Sequence, residues 1–207
     1  MGGAGNDRIF GGRGDDYMRG GSGDDSIQSR TRDNVVFGDS GNDKIFTGAG
    51  NDTIDGGANN DAIRSGPGED IVSGGNGNDR ITAGDDNNIV NGGRGDDTLL
   101  GDAGDDILSG DAGTDSLAGG EGADIFVVGL GDGITIIEDF EDDTDLLDLS
   151  DFSDAEIQAA LDGAVQDGSD SVLTLATEEI IRLVRFDLED LDADDILNFE
   201  GDDGGMV

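Results

Sequence analysis

The sequence predicts an all-β fold, a narrow parallel solenoid of seven coils, and three observations predict it. A nine-residue frame runs from Gly2 to Val127 without insertion or deletion, giving fourteen consecutive nonads. The eighth position of the frame (Ile9, Met18, Ile27, Val36 and so on to Phe126) is apolar in all fourteen. Glycine dominates the first, second and fourth positions, and aspartate fills the sixth in twelve of fourteen. A fixed period of this kind is the signature of a stacked repeat.

Each nonad supplies one element. Positions seven to nine read as a three-residue strand whose middle side chain points inward and whose neighbours point out. The six residues before it read as a tight turn, with glycine where positive φ is needed. Two nonads close one coil, so residues eighteen apart stack in a sheet. A single strand buries little; stacking builds a thin ladder of Ile, Val and Leu. The 207 residues carry a formal net charge of -39, no cysteine and no histidine. Such a charge with few aromatics argues for disorder unless something neutralises the acid. The same charge argues against nucleic acid or anionic membranes as partners. No apolar run approaches a membrane span. Disulfides are excluded as the staple, and a metal is the natural replacement.

The pattern Gly-Gly-x-Gly-x-Asp-x-apolar-x, clearest at Gly74-Gly75-Asn76-Gly77-Asn78-Asp79-Arg80-Ile81-Thr82, resembles the RTX (repeat-in-toxin, haemolysin-type) calcium-binding nonapeptide. The resemblance covers residues 2–127 and implies a right-handed parallel β-roll with two nonapeptides per coil. It also implies multiple calcium ions held between turns two nonads apart. The ligands implied are sixth-position carboxylates, Asp7, Asp16, Asp25, Asp43, Asp52, Asp61, Asp70, Asp79, Asp97, Asp106, Asp115 and Asp124. Second- and fourth-position carbonyls complete the set: Gly3, Gly5, Gly21, Gly23, Gly41, Gly57, Gly75, Gly77, Gly93, Gly95 and Gly113. All-oxygen ligation suits calcium, and the lack of histidine and cysteine disfavours zinc, copper and iron–sulfur sites.

Nonads of odd and even number form two separate stacks. The odd stack keeps aspartate at every sixth position, whereas the even stack has Asn34 and Asn88. Seven turns leave six gaps, so the odd edge is expected to hold a full row of six ions. Each asparagine touches two gaps, so four of six on the even edge are expected to be weakened or empty. Asn59 replaces a fourth-position glycine, but asparagine tolerates the left-handed conformation. Arg30 and Arg32 lie in the first defective turn; a guanidinium there either replaces the missing ion beside Asp16 and Asp52 or simply faces solvent.

The outward seventh positions also differ by parity. The odd sheet shows Arg8, Ser26, Lys44, Ala62, Arg80, Thr98 and Ser116, a solvated face. The even sheet shows Tyr17, Val35, Thr53, Ile71, Ile89, Ile107 and Ile125, an apolar ladder. Either the C-terminal segment covers that ladder, the favoured expectation, or a partner does.

At Val128 the period stops, and residues 128–207 read as a small β-rich cap. Strands are expected at 133–139 and 146–149. The Ser153-Asp154-Ala155-Glu156 capping box is expected to open a helix over 157–165. A hairpin is expected from 171–176 and 179–185, a short acidic turn or helix at 188–191, and an apolar run over 195–199. Ala123 to Val128, Ile137-Glu138-Asp139-Phe140 and Asp145 to Ser150 resemble the C-terminal region of serralysin-type RTX exoproteins. Leu191 to Leu197 resembles the tail of type I secretion targets, although the final Gly201 to Val207 departs from tails that stop soon after an aromatic. That resemblance implies export through a type I secretion ABC transporter of the Gram-negative kind, hence a secreted, extracellular protein.

The leading expectation is a calcium-binding module that folds on meeting extracellular calcium and supports secretion and folding of an exoprotein. The first alternative is a free-standing surface- or matrix-binding protein that uses the even-sheet ladder. The second is the C-terminal part of a secreted hydrolase, since the array begins at Met1 without a cap and a catalytic or adhesive domain is expected upstream. Catalysis by this chain is not expected. Without histidine or cysteine there is no triad or zinc-protease motif, and fifty acids make carboxylate pairs coincidental.

Overall fold

The computed structural model describes residues 1–175 and 179–197. It is a parallel β-roll. Odd nonads stack as Ile9, Ile27, Ile45, Ile63, Ile81, Leu99 and Leu117, each paired in parallel with the residue eighteen further on. Even nonads stack in the same way from Met18 through Val36, Ile54, Val72, Val90 and Leu108 to Phe126. The eighth-position side chains face one another between the two sheets. From Met18 to Phe126 all of them are buried; Ile9, on the first coil, is partly so. Alternation within three residues suffices because each strand is paired on both sides.

Strand length departs from expectation. Early odd strands are three residues long (Arg8–Phe10, Ser26–Gln28, Lys44–Phe46, Ala62–Arg64), as anticipated. Even strands such as Tyr17–Ser22, Val35–Ser40 and Thr53–Ala58 have six. The first half of the following turn is itself stacked in register, Gly21 on Asp39 and Ser22 on Ser40, so the ladder runs on into it.

Parallel stacking outlasts the period. Gly133–Ile137 pairs with residues 113–117, and Leu146–Asp148 pairs with Ile125–Val127. Ile180–Leu183 adds to Gly133–Ile137 in parallel and closes an antiparallel hairpin with Asp170–Thr174. The helix spans Asp154–Asp162, three residues earlier than expected: Ser153 donates its N–H to Glu156 Oε2 (2.9 Å), and Gly163 ends the helix. Phe126, Phe140 and Phe186 join the last repeat to this segment, with ring centroids 6.1 and 5.3 Å apart. The end of the apolar ladder is thereby closed. Of the apolar run, Ile196 bridges to Leu147. Ala176, Asn198, Phe199 and the tail at 201–207 lie outside the described residues.

Among the described residues, the C-terminal segment does not cover the even-sheet ladder, contrary to expectation. Tyr17, Ile71 and Ile89 remain 59%, 53% and 49% exposed. The described part of that segment stacks on the end of the roll rather than along its side.

Candidate metal centre

The turns at positions one to six form the two long edges of the roll. At each edge the sixth-position side chain ties neighbouring coils together. Asp25 Oδ1 accepts the N–H of Asp7, Asp43 Oδ1 that of Asp25, and Asp61 Oδ1 that of Asp43, each at 2.7 Å. The odd series continues without a break through Asp79 and Asp97 to Asp115.

The second carboxylate oxygen has no such partner. In all twelve sixth-position aspartates, from Asp7 to Asp124, Oδ2 is buried and lacks a hydrogen-bond partner. Leaving one buried carboxylate oxygen unpaired is costly, and here it recurs at every coil. Burial raises the nine from Asp43 onward. Asp61, Asp70, Asp115 and Asp124 are pushed up to about 7, and Asp43, Asp97 and Asp106 to about 6. For each, desolvation is the largest cause, backbone hydrogen bonds oppose it, and neighbouring carboxylates add to it.

Main-chain oxygens converge on the same gaps. A Cβ on Gly74 would collide with Asp79 Oδ2 and lie 2.6 Å from the Gly92 carbonyl oxygen one coil on. At the second and fourth positions, glycines with positive φ let the preceding coil's carbonyls approach. A Cβ on Gly75 would strike the Gly57 carbonyl, and one on Gly77 the Asn59 carbonyl. Each intact gap therefore offers a charged carboxylate oxygen and several carbonyls in a dry, closely packed site. That hard-oxygen donor set fits calcium. The residues that would hold it are the twelve aspartates with Gly3, Gly5, Gly21, Gly23, Gly41, Gly57, Gly75, Gly77, Gly93, Gly95 and Gly113. Asn59 adopts φ 77°, so that odd-edge turn keeps its shape.

The even edge is built differently. Asn34 Nδ2 donates to the Arg32 carbonyl and to Asp52 Oδ1 (2.8 Å). Asn88 Nδ2 donates to the carbonyls of Asp86 (2.7 Å) and Gly84 (3.3 Å). These are second- and fourth-position carbonyls, so a neutral amide serves the oxygens a cation would otherwise draw together. The alternative in which Arg30 or Arg32 replaces the ion is not what the structure adopts. Both residues are exposed, and the ion pairs of the described residues involve only Arg19 and Arg182. First positions on this edge also carry side chains, Ser29, Thr47, Ser65 and Ala83, all buried. Thr47 Oγ1 donates to the Ser65 carbonyl (3.0 Å) and Ser65 Oγ to the Ala83 carbonyl (2.8 Å).

Two features escaped the sequence reading. Fifth-position side chains form a second ladder in the opposite sense: Asn6 Oδ1 accepts from Asp24 N–H, Asn42 Oδ1 from Asn60 N–H, and Asn60 Oδ1 from Asn78 N–H. The signal was the recurrence of Asn or Asp at that position. Beyond the repeat, Asp145 Oδ1 accepts the Asp124 N–H (2.9 Å), and Leu146 N–H donates to the Asp124 carbonyl. Asp145 thus repeats the Oδ1 tie of a sixth-position aspartate, twenty-one residues on instead of eighteen, but its Oδ2 accepts the Glu141 N–H (2.9 Å) and is not orphaned.

The sequence matches four copies of the family model for the RTX calcium-binding nonapeptide repeat, over residues 1–27, 30–63, 64–99 and 100–134. No relative is found among curated proteins. One similar solved structure is the AlgE6R3 subunit of a mannuronan C5-epimerase from Azotobacter vinelandii, at 26% identity and a TM-score of 0.46, covering 63% of this chain and 80% of that one. Another is the extracellular lipase LipA of Serratia marcescens, at 17% identity and a TM-score of 0.36, covering 84% of this chain and 38% of the lipase. With most of its length matched by the repeat model, the chain belongs to the RTX calcium-binding nonapeptide repeat family.

Proposed function

We propose that the chain is a calcium-dependent folding module of a secreted protein, carried out of the cell unfolded and made rigid outside. The observation that carries this reading is the row of twelve buried Oδ2 atoms without partners. Without a cation, the fold packs acids of like charge at every coil. Submicromolar calcium leaves such sites empty; millimolar calcium fills sites of Kd ~10⁻⁴ to 10⁻³ M, the range of extracellular modules. At ten times Kd each site adds roughly 1.4 kcal/mol, and some eight sites about 11 kcal/mol, comparable to the stability of a whole domain. Ion binding and folding are then one event. Bound calcium supplies charge neutralisation at the edges; the apolar ladder and the two side-chain ladders supply register. Far-UV circular dichroism during calcium titration tests this. A gain of β signal is expected, and no gain at millimolar calcium sinks the reading.

Export fits the same scheme. The segment around Leu191 to Leu197 would be read by a type I ABC transporter while the repeats remain unfolded. Removing residues 188–207 should abolish secretion in a strain carrying such a transporter, and unchanged export would refute that role. The reading assigns no catalysis to this chain; a catalytic or adhesive domain attached upstream would be the cargo. A second reading is favoured by the exposed ladder of Ile71, Ile89 and Ile107. In it, the even sheet docks a surface or matrix partner, and Ile71→Glu with Ile89→Glu would abolish binding while leaving the calcium-induced signal intact.

A further inference from the structure

The odd sheet's outer face stands apart from the rest of the molecule in charge. Its seventh and ninth positions run from Arg8 and Phe10 to Ser116 and Ala118, and none is Asp or Glu in a chain with 50 acids. Arg8, Lys44 and Arg80 stand in one column, each separated by a small residue, Ser26 or Ala62, on the strand between. Two strand spacings put successive cations about 9.6 Å apart. Arg64 lies between them in the ninth-position column, beside Phe46. Lys44, Phe46, Arg64 and Arg80 line a shallow cleft of about 380 Å³ floored by Ser26 and Ala62. A second depression of about 270 Å³, between Phe10, Arg13, Gln28 and Arg30, continues it toward the N-terminus.

Six of the chain's 11 basic residues thus gather on one side of its first half. All six are exposed, and the ion pairs of the described residues use none of them. Phe10 and Phe46 are 68% and 43% exposed on the same surface. Unpaired cations interleaved with exposed aromatics, in a strongly acidic protein, call for an anionic ligand with flat apolar faces.

We propose that this face binds an extended acidic polysaccharide carrying one carboxylate for every two sugars. Cations two strands apart suit charges that recur once per disaccharide, and the phenyl rings suit the apolar faces of pyranoses between them. Charge density decides against nucleic acid: duplex DNA presents one charge per ~1.7 Å, which the acidic edges of the roll would repel. The site rests on the calcium reading in one respect, since ions on those edges remove the repulsion that would otherwise reach the ligand. Binding is therefore strongest in the calcium-loaded protein.

The test uses the full chain with calcium and a hyaluronan decasaccharide as probe, followed by calorimetry, with circular dichroism on the same samples. Saturable binding is expected, weakening as salt rises, with none to neutral dextran. Lys44→Gln, Arg64→Gln and Arg80→Gln together should weaken it roughly tenfold or more and flatten its salt dependence. Val165→Glu, an exposed position beyond the roll, should leave it unchanged. Absence of saturable binding by a protein that shows the calcium-induced β signal overturns the proposal. So does equal affinity in the triple variant, or displacement of the decasaccharide by a lower concentration of duplex DNA. Equal binding with and without calcium overturns it as well, whereas a missing β signal is the separate failure of the folding reading.

Discussion

The two edges of the roll frame the same apolar ladder yet solve the problem of the turn in different ways. On the odd edge, seven aspartates from Asp7 to Asp115 follow seven first-position glycines, and every Oδ2 is buried without a partner. On the even edge, Ser29, Thr47, Ser65 and Ala83 fill first positions, and the amides of Asn34 and Asn88 reach the carbonyls of their own turns. A turn can therefore be completed by a cation between coils or by a neutral donor within one. On the function proposed above, the first would make folding conditional on calcium. The second supplies a middle stretch whose hydrogen bonds are already made.

Chelation should have the largest effect. Removing calcium should cost about 11 kcal/mol and melt the roll, detected by circular dichroism and protease sensitivity. If only half of the β signal is lost, the even edge is holding structure alone. Reciprocal variants separate the edges further. Asp79 lies between two odd gaps, so Asp79→Asn should remove two ions and about 3 kcal/mol of calcium-loaded stability. Asn88→Asp should add as many as two ions and destabilise the calcium-free protein, because a satisfied amide becomes one more orphaned carboxylate. Ion counting by calorimetry checks both, and equal stoichiometry in the two variants would show that the asparagines are not cation substitutes.

Acidity gives a sharper comparison, with a sign that reverses on calcium. In the calcium-free fold, burial pushes Asp61 and Asp115 on the odd edge and Asp70 and Asp124 on the even edge up to about 7, and Asp43, Asp97 and Asp106 up to about 6. These values lie above those of the unfolded chain, so folding takes up protons. The stability they contribute is full below about pH 4 and is lost as pH rises through 6 to 7. Calcium-free protein should therefore gain β signal as pH falls from about 8 to 5. Calcium needs the ionised carboxylates, so its midpoint concentration should rise over the same interval. Asn34 and Asn88 do not titrate, and Asn88→Asp should steepen the dependence. A calcium midpoint that is the same at both ends of the interval would contradict the assignment.

Most of the roll was legible because its period was unbroken. The inward position, the two stacks and the twelve aspartates follow from counting in nines, and the structure places each where the count puts it. What escaped was directional. Asparagine at 34 and 88 reads as the loss of a charge, and only the aim of Nδ2 shows that it completes the turn. The fifth-position ladder was visible as recurring Asn and Asp, but those residues are so ordinary in turns that recurrence alone suggested nothing. Asp145 was hidden by its spacing of twenty-one. The bare even-sheet ladder could not be foreseen, since whether a segment packs along a solenoid or on its end depends on how Phe140 and Phe186 meet Phe126.

First positions offer the finest distinction between the edges. Gly74→Ala places a Cβ against Asp79 Oδ2 and the Gly92 carbonyl, both held by neighbouring coils. It should cost about 1–3 kcal/mol as an overpacked site and weaken calcium binding at that gap. The even edge already accommodates a methyl at the equivalent Ala83, buried at 0% exposure. Ala83→Gly should therefore leave calcium binding unchanged and lower stability by less than about 1 kcal/mol, chiefly by loosening the unfolded chain. Thermal melts at fixed calcium resolve the two. If Ala83→Gly instead raised calcium affinity, the side chain would be what keeps an ion out of that turn. The even edge would then be a repaired copy of the odd one, not a separate way of closing the coil.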